Sequence, residues 1–158
     1  MPIASLNTIV GPLSVHEEGG AIVRLSWGDA VSGSGAAAEV DDTPLLCEAL
    51  DQLAAYFDHR LTTFDLPLRV AGSDFQRAVC AAMCAIPFGE TRTYGDIARD
   101  LGRPAQPVGN ACGANPIPVI IPCHRILGAS GLGGFSGLGG VETKVILLRH
   151  EGAASLLI

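Results

Sequence analysis

Three short helices are spelled out between Ser73 and Gly113, starts and stops included. They commit this half of the chain to a compact, mostly helical lobe. Ser73, with Gln76 three residues on, reads as a capping box, in which side chains satisfy the unpaired N–H groups of a helix start. Phe75, Val79, Ala82, Met83 and Ile86 follow at helical spacing as one buried stripe, and Pro87-Phe88-Gly89 stops it. Thr93 with Asp96 repeats the signal for a helix through Leu101, whose apolar positions are Tyr94, Ile97, Ala98 and Leu101. Gly102 is placed as a left-handed cap. A third helix runs from about Ala105 to Gly113, and Val108, Gly109, Asn110, Ala111, Cys112, Gly113 and Ala114 are nearly all small. Such a helix either packs closely in a core or lies in a narrow, shallow groove where bulky side chains clash. Two short helices about a tight Gly turn fit a helix-turn-helix.

The first half reads differently. Thr8-Ile-Val, Pro12-Leu-Ser-Val and Ala21 to Trp27 are strand-like, with Gly19-Gly20 as a hairpin signal. Ser32 to Asp42 is a small-residue, acidic loop. A helix starts at Thr43 with Pro44 in the first turn, and its apolar face is Leu46, Ala49, Leu50, Leu53 and Phe57. Thr62 to Leu68 is an extended connector. The expectation is a mixed α/β chain of two lobes: a β-sheet and helix scaffold over 1–68, and a functional lobe over 69–158.

No stretch is long and apolar enough to cross a bilayer, and Met1 to Val10 lacks the pattern of a secretory signal, so a soluble, cytoplasmic protein is expected. Five cysteines, an odd number, then argue for free thiols. Cys80 and Cys84 share a helical face, but no further ligands complete a zinc pattern, and no motif calls for a cofactor. The net charge of −6 argues against a generic nucleic-acid binder. That charge is uneven: Val70 to Ser130 carries five arginines against four carboxylates, +1, which leaves −7 on the remainder. Modest phosphate contact remains compatible with this distribution.

The chemistry concentrates further on. Ile117 to Ile121 reads as a buried β-branched strand ending at Pro122-Cys123-His124-Arg125. A thiol beside His and Arg is in a setting that favours thiolate, the nucleophilic form. Neighbours on a strand point opposite ways, so His124 reaches Cys123 only through a turn or a bridging water. Lys144 to His150 reads as a helix with Val141, Val145 and Leu148 on one side, followed by Glu151. That carboxylate is either solvated or folded back to orient His124. Gly128 to Gly140 contains seven glycines and suits a loop lining a flat pocket.

Phe75-Gln76, Ile86 through Gly95, Asn115-Pro116, Ile121-Pro-Cys-His-Arg125, Gly134-Phe-Ser136, Lys144 and His150-Glu-Gly152 together resemble the O6-alkylguanine-DNA alkyltransferases. The resemblance is strong from Ser73 to Gly152 and looser before it. It implies a ribonuclease-H-like N-terminal lobe and single-use transfer of an alkyl group from guanine O6 to Cys123. It further implies His124 as base through a water, Glu151 orienting His124, and Asn115 as the hinge between the recognition helix and the active-site strand. Tyr94 would contact the flipped nucleotide and the departing guanine. The Ser136 N–H and the Lys144 ammonium would lie near guanine O6, and the carbonyls of Cys123 and Ile126 would accept from the guanine amine. Alkylated duplex DNA would be the partner, bound by a monomer in the minor groove through Arg103, Gln106, Val108, Gly109, Ala111 and Arg125.

Two departures stand out. Gln106, between Ala105 and Pro107, occupies the place of the family's inserted arginine, after a shortened turn at Gly102-Arg103-Pro104. Extra residues also occur around Leu138-Gly139-Gly140. The rival readings are a lesion-binding protein that does not repair and an unrelated Cys/His hydrolase.

Overall fold

The computed structural model describes residues 2–28, 43–128, 131–133 and 140–153. The acidic loop, Ser136 and Leu138-Gly139 lie outside these. The chain divides into two compact units, Met1–Arg69 and Val70–Ile158.

In the first unit, β1 (Ile3–Thr8), β2 (Gly11–Glu18) and β3 (Ala21–Trp27) form an antiparallel sheet in that order. Thr8-Ile-Val is not a strand. Thr8 closes β1, its hydroxyl accepts the Val10 N–H and donates to the Gly11 carbonyl, and Gly11 turns the chain at φ 91°. Gly19 and Gly20 form the second hairpin, both at positive φ. α1 (Pro44–Phe57) starts on the Thr43 hydroxyl. It buries Leu46, Ala49, Leu53 and Tyr56, each worth roughly 1–3 kcal/mol of apolar burial. Tyr56 takes the inner place expected of Phe57, which is only half-buried. Its ring meets Phe57 and Phe64 at 4.9 and 5.3 Å between centroids.

The second unit contains α2 (Asp74–Cys84), β4 (Arg92–Thr93), α3 (Tyr94–Leu101), α4 (Ala105–Gly113), a 3-10 turn (Cys123–Arg125), β5 (Ile126–Leu127) and α5 (Val141–His150). The Thr93–Asp96 capping box is complete, and Gly102 caps α3 in the left-handed conformation. The Ser73 box is only half formed: Ser73 Oγ accepts the Gln76 N–H, whereas the Gln76 amide turns away and donates to the Ala111 carbonyl of α4 at 2.9 Å. The residue expected to reinforce its own helix thus ties α2 to α4. α5 buries Thr143, Lys144, Leu147 and Leu148, and Val141 is exposed, so the expected stripe through Val141 and Val145 is rotated.

α4 corrects a second expectation. Val108, Ala111 and Cys112 are buried, since positions three and four apart share one face, and that face points inward. Val108 and Ala111 are therefore core residues, unavailable for contact with DNA.

Candidate active site

Ile117 to Ile121 is buried, but it is not a strand. Pro118 and Pro122 lack the N–H groups a ladder needs, and Asn115 organises the segment into turns instead. Asn115 Oδ1 accepts the Ile117 N–H at 3.0 Å, and its Nδ2 donates to the Ile121 carbonyl at 2.8 Å. Within that brace Ile121 N–H bonds the Ile117 carbonyl, and Ile120 N–H reaches the Pro118 carbonyl across Val119 at φ 71°. Positive φ at a β-branched residue is strained, and such strain concentrates at functional sites. Pro122, at φ −80° and ψ 68°, forms an inverse γ-turn closed by Cys123 N–H on the Ile121 carbonyl. Cys123 thus opens a 3-10 turn, and the chain reverses where a strand would have pointed His124 away.

The turn places His124 and Arg125 on one carboxylate. His124 Nε2 is 2.7 Å from Glu151 Oε2, and the Arg125 guanidinium donates to both Glu151 oxygens at 2.8 and 3.0 Å. A third Arg125 donor reaches the Ile86 carbonyl at 2.6 Å. His124 and Glu151 side chains are fully buried, and Arg125 is nearly so. Gly89 makes room for this end of α5: it sits at φ 84°, and a Cβ there would lie 3.2 Å from the Glu151 carbonyl. Phe88 lies beneath the Arg125 guanidinium and edge-on to His150. Arg125, grouped above with residues contacting DNA, is instead an internal clamp on Glu151. The signal for it was present in the sequence: a cation inside an apolar run needs a buried partner.

This geometry sets protonation. Glu151 can only accept, so His124 donates from Nε2, and Nδ1 carries the lone pair. Nδ1 is buried and has no hydrogen-bond partner within the protein. Burial lowers the His124 pKa, while the Glu151 hydrogen bond pulls the other way. Because Arg125 already answers the carboxylate charge, a neutral imidazole leaves the cluster balanced. His124 should therefore keep the Nε2–H tautomer below pH 6.5, where a free imidazole titrates. The unfolded chain takes up this proton earlier than the folded one, so acidification below that pH costs stability. Imidazole nitrogen NMR shifts followed from pH 8 to 5 test this, and a ring charging near 6.5 in the folded protein would contradict it.

Burial also raises the Cys123 pKa, against the Asn115 hydrogen bond and the Lys144 charge. The expected thiolate-favouring setting is thereby opposed: Arg125 commits its charge to Glu151, and burial favours the neutral thiol. Lys144, with no exposed surface, donates to the Ile126 and Leu132 carbonyls, both at 2.5 Å. Its pKa falls to about 8 through burial, with Cys123 and Cys112 opposing. The Cys123 carbonyl accepts the Ile126 N–H.

Tyr94 begins α3 beside this turn, because β4 pairs in parallel with β5. Its ring lies next to Gly109 and Gly133. A Cβ on Gly133 would sit 3.1 Å from the ring and 3.0 Å from the Gly128 nitrogen, and the φ of 72° also calls for glycine. Cys112 is buried near the same group, with its pKa raised to about 12 by burial and then by Cys123. Sequence reasoning did not connect Cys112 with this site. Gln106 and Arg103 are exposed at the start of α4, and Arg103 stacks over Phe75 at 4.3 Å. Ser136 is not among the described residues.

A buried thiol on a tight turn, backed by a charge-balanced His–Glu pair, defines a protein built around one protected cysteine nucleophile. The family profiles that match are described as 6-O-methylguanine DNA methyltransferase, DNA binding domain, over residues 74–153, and 6-O-methylguanine DNA methyltransferase, ribonuclease-like domain, over residues 2–70. The chain belongs to the 6-O-methylguanine DNA methyltransferase family. The methylated-DNA–protein-cysteine methyltransferase of Mycobacterium bovis is 41% identical over 150 residues, 93% of this chain and 90% of that protein. That of Methanosarcina barkeri is 45% identical over 115 residues, 71% and 72% of the two chains. Among solved structures, Mycobacterium tuberculosis OGT in complex with DNA superposes with a TM-score of 0.83 at 40% identity, covering 98% of this chain and 94% of that one.

Proposed function

We propose that the protein repairs DNA by moving an alkyl group from guanine O6 to Cys123, once per molecule. The observation that carries this is the Cys123 turn, with His124 held by Glu151 at 2.7 Å and the imidazole lone pair left at Nδ1. The thiol proton passes to Nδ1 through a bridging water, and the thiolate attacks the alkyl carbon. The carbon–oxygen bond breaks, its electron pair moves into the guanine, and the base leaves with a proton from the Tyr94 hydroxyl, which solvent replaces as His124 gives up the thiol proton. Tyr94 donates to the departing base, and the Lys144 ammonium offsets charge growing near O6. The Cys123 and Ile126 carbonyls, each with one internal partner and a second lone pair, accept from the guanine amine. Asn115 acts as the hinge between α4 and the Cys123 turn.

A stacked base cannot present its alkyl carbon to a buried sulfur, so the nucleotide is flipped out. Residues 69–158 carry this chemistry, with 1–68 as scaffold. α3 and α4 act as a helix-turn-helix that lies in the minor groove of alkylated duplex DNA. The outward side of α4, from Gln106 and the half-buried Gly109, meets the DNA, and Arg103 reaches a phosphate. The protein works as a cytoplasmic monomer. Thioether sulfur has no route back to thiol, hence the single use.

Incubation with a duplex containing one O6-methylguanine, followed by intact and peptide mass spectrometry, tests the reading. One methyl on Cys123, saturating at one per molecule and absent in Cys123→Ala, is the expected result. A single-stranded substrate run alongside isolates the flipping step. Failure to modify either strand form, with the protein folded and reduced, favours a second reading, lesion binding without repair. The observation behind that alternative is the neutral Gln106 where an arginine would hold the flipped nucleotide.

A further inference from the structure

No Asp, Glu, Lys or Arg lies between Arg103 and Arg125, so α4 is a neutral helix. Its inward face is Val108, Ala111 and Cys112, and its exposed face is Gln106, Asn110 and Gly113. Gln106 and Asn110 are four residues apart, hence neighbours on that face, and they are its only side chains able to hydrogen-bond. Among the described residues neither carboxamide has a hydrogen-bond partner, whereas Gln76 is bound to the Ala111 carbonyl and Asn115 to the Ile121 carbonyl. The nearest cation, Arg103, is held on the Phe75 ring. Gly109 and Gly113 keep the surface beside the two carboxamides low, which lets a partner's edge come close.

Resting on the alkyltransferase reading for the identity of the DNA face, we infer that Gln106 and Asn110 form a paired carboxamide reader of the minor-groove base edges flanking the lesion. The chemistry separates such a reader from a cationic one. Lysine and arginine only donate, and therefore match the acceptors of A·T pairs. A carboxamide also accepts, and can take the guanine N2 amine that G·C pairs add to this groove. The reader therefore favours guanine-containing neighbours, and its contribution is insensitive to salt because it releases no counterions.

The full chain would be titrated by fluorescence anisotropy against O6-methylguanine duplexes differing only in the flanking pairs, G·C or A·T, at several salt concentrations. Methyl transfer would be followed on the same duplexes. The expected result is binding tighter by about fivefold or more to G·C flanks, a conservative figure for two groove contacts. Asn110→Ala and Gln106→Ala should each move that ratio towards one without changing the salt slope. Arg103→Ala should flatten the slope by about one phosphate's worth and leave the ratio unchanged. All three residues are exposed, so the variants should fold. A wild-type ratio of one, a ratio surviving both alanine variants, or no binding to any duplex would overturn the inference. A flank preference that depends on the carboxamides, without transfer to Cys123, would leave the reader standing and refute the alkyltransferase reading.

Discussion

Glu151→Gln is expected to lower stability by about 3–5 kcal/mol and slow alkyl transfer by at least ~100-fold. The stability loss follows from the Arg125 clamp. Both Glu151 oxygens receive buried guanidinium donors, and one also receives the His124 Nε2–H. A neutral amide in that place keeps one acceptor oxygen but sets an NH2 against the other donors, and leaves the buried guanidinium charge without a counter-charge. The rate loss has a different origin. Without the carboxylate, nothing requires His124 to donate from Nε2, so the Nδ1 lone pair is no longer guaranteed. Urea denaturation gives the first quantity, and single-turnover transfer at a temperature where the variant is folded gives the second. Arg125→Lys keeps a charge but loses the two-oxygen grip, and should fall between wild type and Glu151→Gln in both assays. Wild-type rates from folded Glu151→Gln would reduce Glu151 to a purely structural partner.

Gln106→Arg is expected to speed methyl transfer from duplex DNA about tenfold, the effect of roughly 1.4 kcal/mol from one charge-assisted contact with the phosphate of a flipped nucleotide. Position 106 is exposed in the first turn of α4, between Pro104 at the cap and Pro107, so the new side chain projects from a rigid start. Transfer from single-stranded DNA, which needs no flipping from a duplex, should change little. The salt dependence of duplex binding should steepen by about one contact. Parallel single-turnover assays on the two substrates check this. Equal acceleration on both would place the effect in encounter and not in flipping.

Much of this protein can be read in one dimension. The helix starts at Thr43, Ser73 and Thr93, the Gly102 cap and the bounds of α4 all depend on residues within four positions of each other, and each formed as expected. Cys123 and His124 were likewise visible in the contiguous Pro-Cys-His-Arg run, whereas Asn115 and Glu151 lie outside it in the chain and took their roles from the family resemblance. Local rules failed where a residue had a distant alternative. Gln76 could cap its own helix or bind α4, and it bound α4. The β-branched run at 117–121 favours a strand, yet two prolines and the Asn115 side chain folded it into turns. Val108 and Ala111 have the composition of a groove-facing helix, and only packing put them inside.

The sequence by itself marked the candidate groups for chemistry and where most helices begin, since capping, proline geometry and motif order act over a few residues. Tertiary structure alone decided their surroundings and direction: that Arg125 binds Glu151, that burial favours the neutral form of Cys123, and that Gln106 and Asn110 face outward. Those outcomes depend on burial and on partners up to 39 residues away, as between Arg125 and Ile86; the apolar run around Arg125 signals that it needs a buried partner, but not which one.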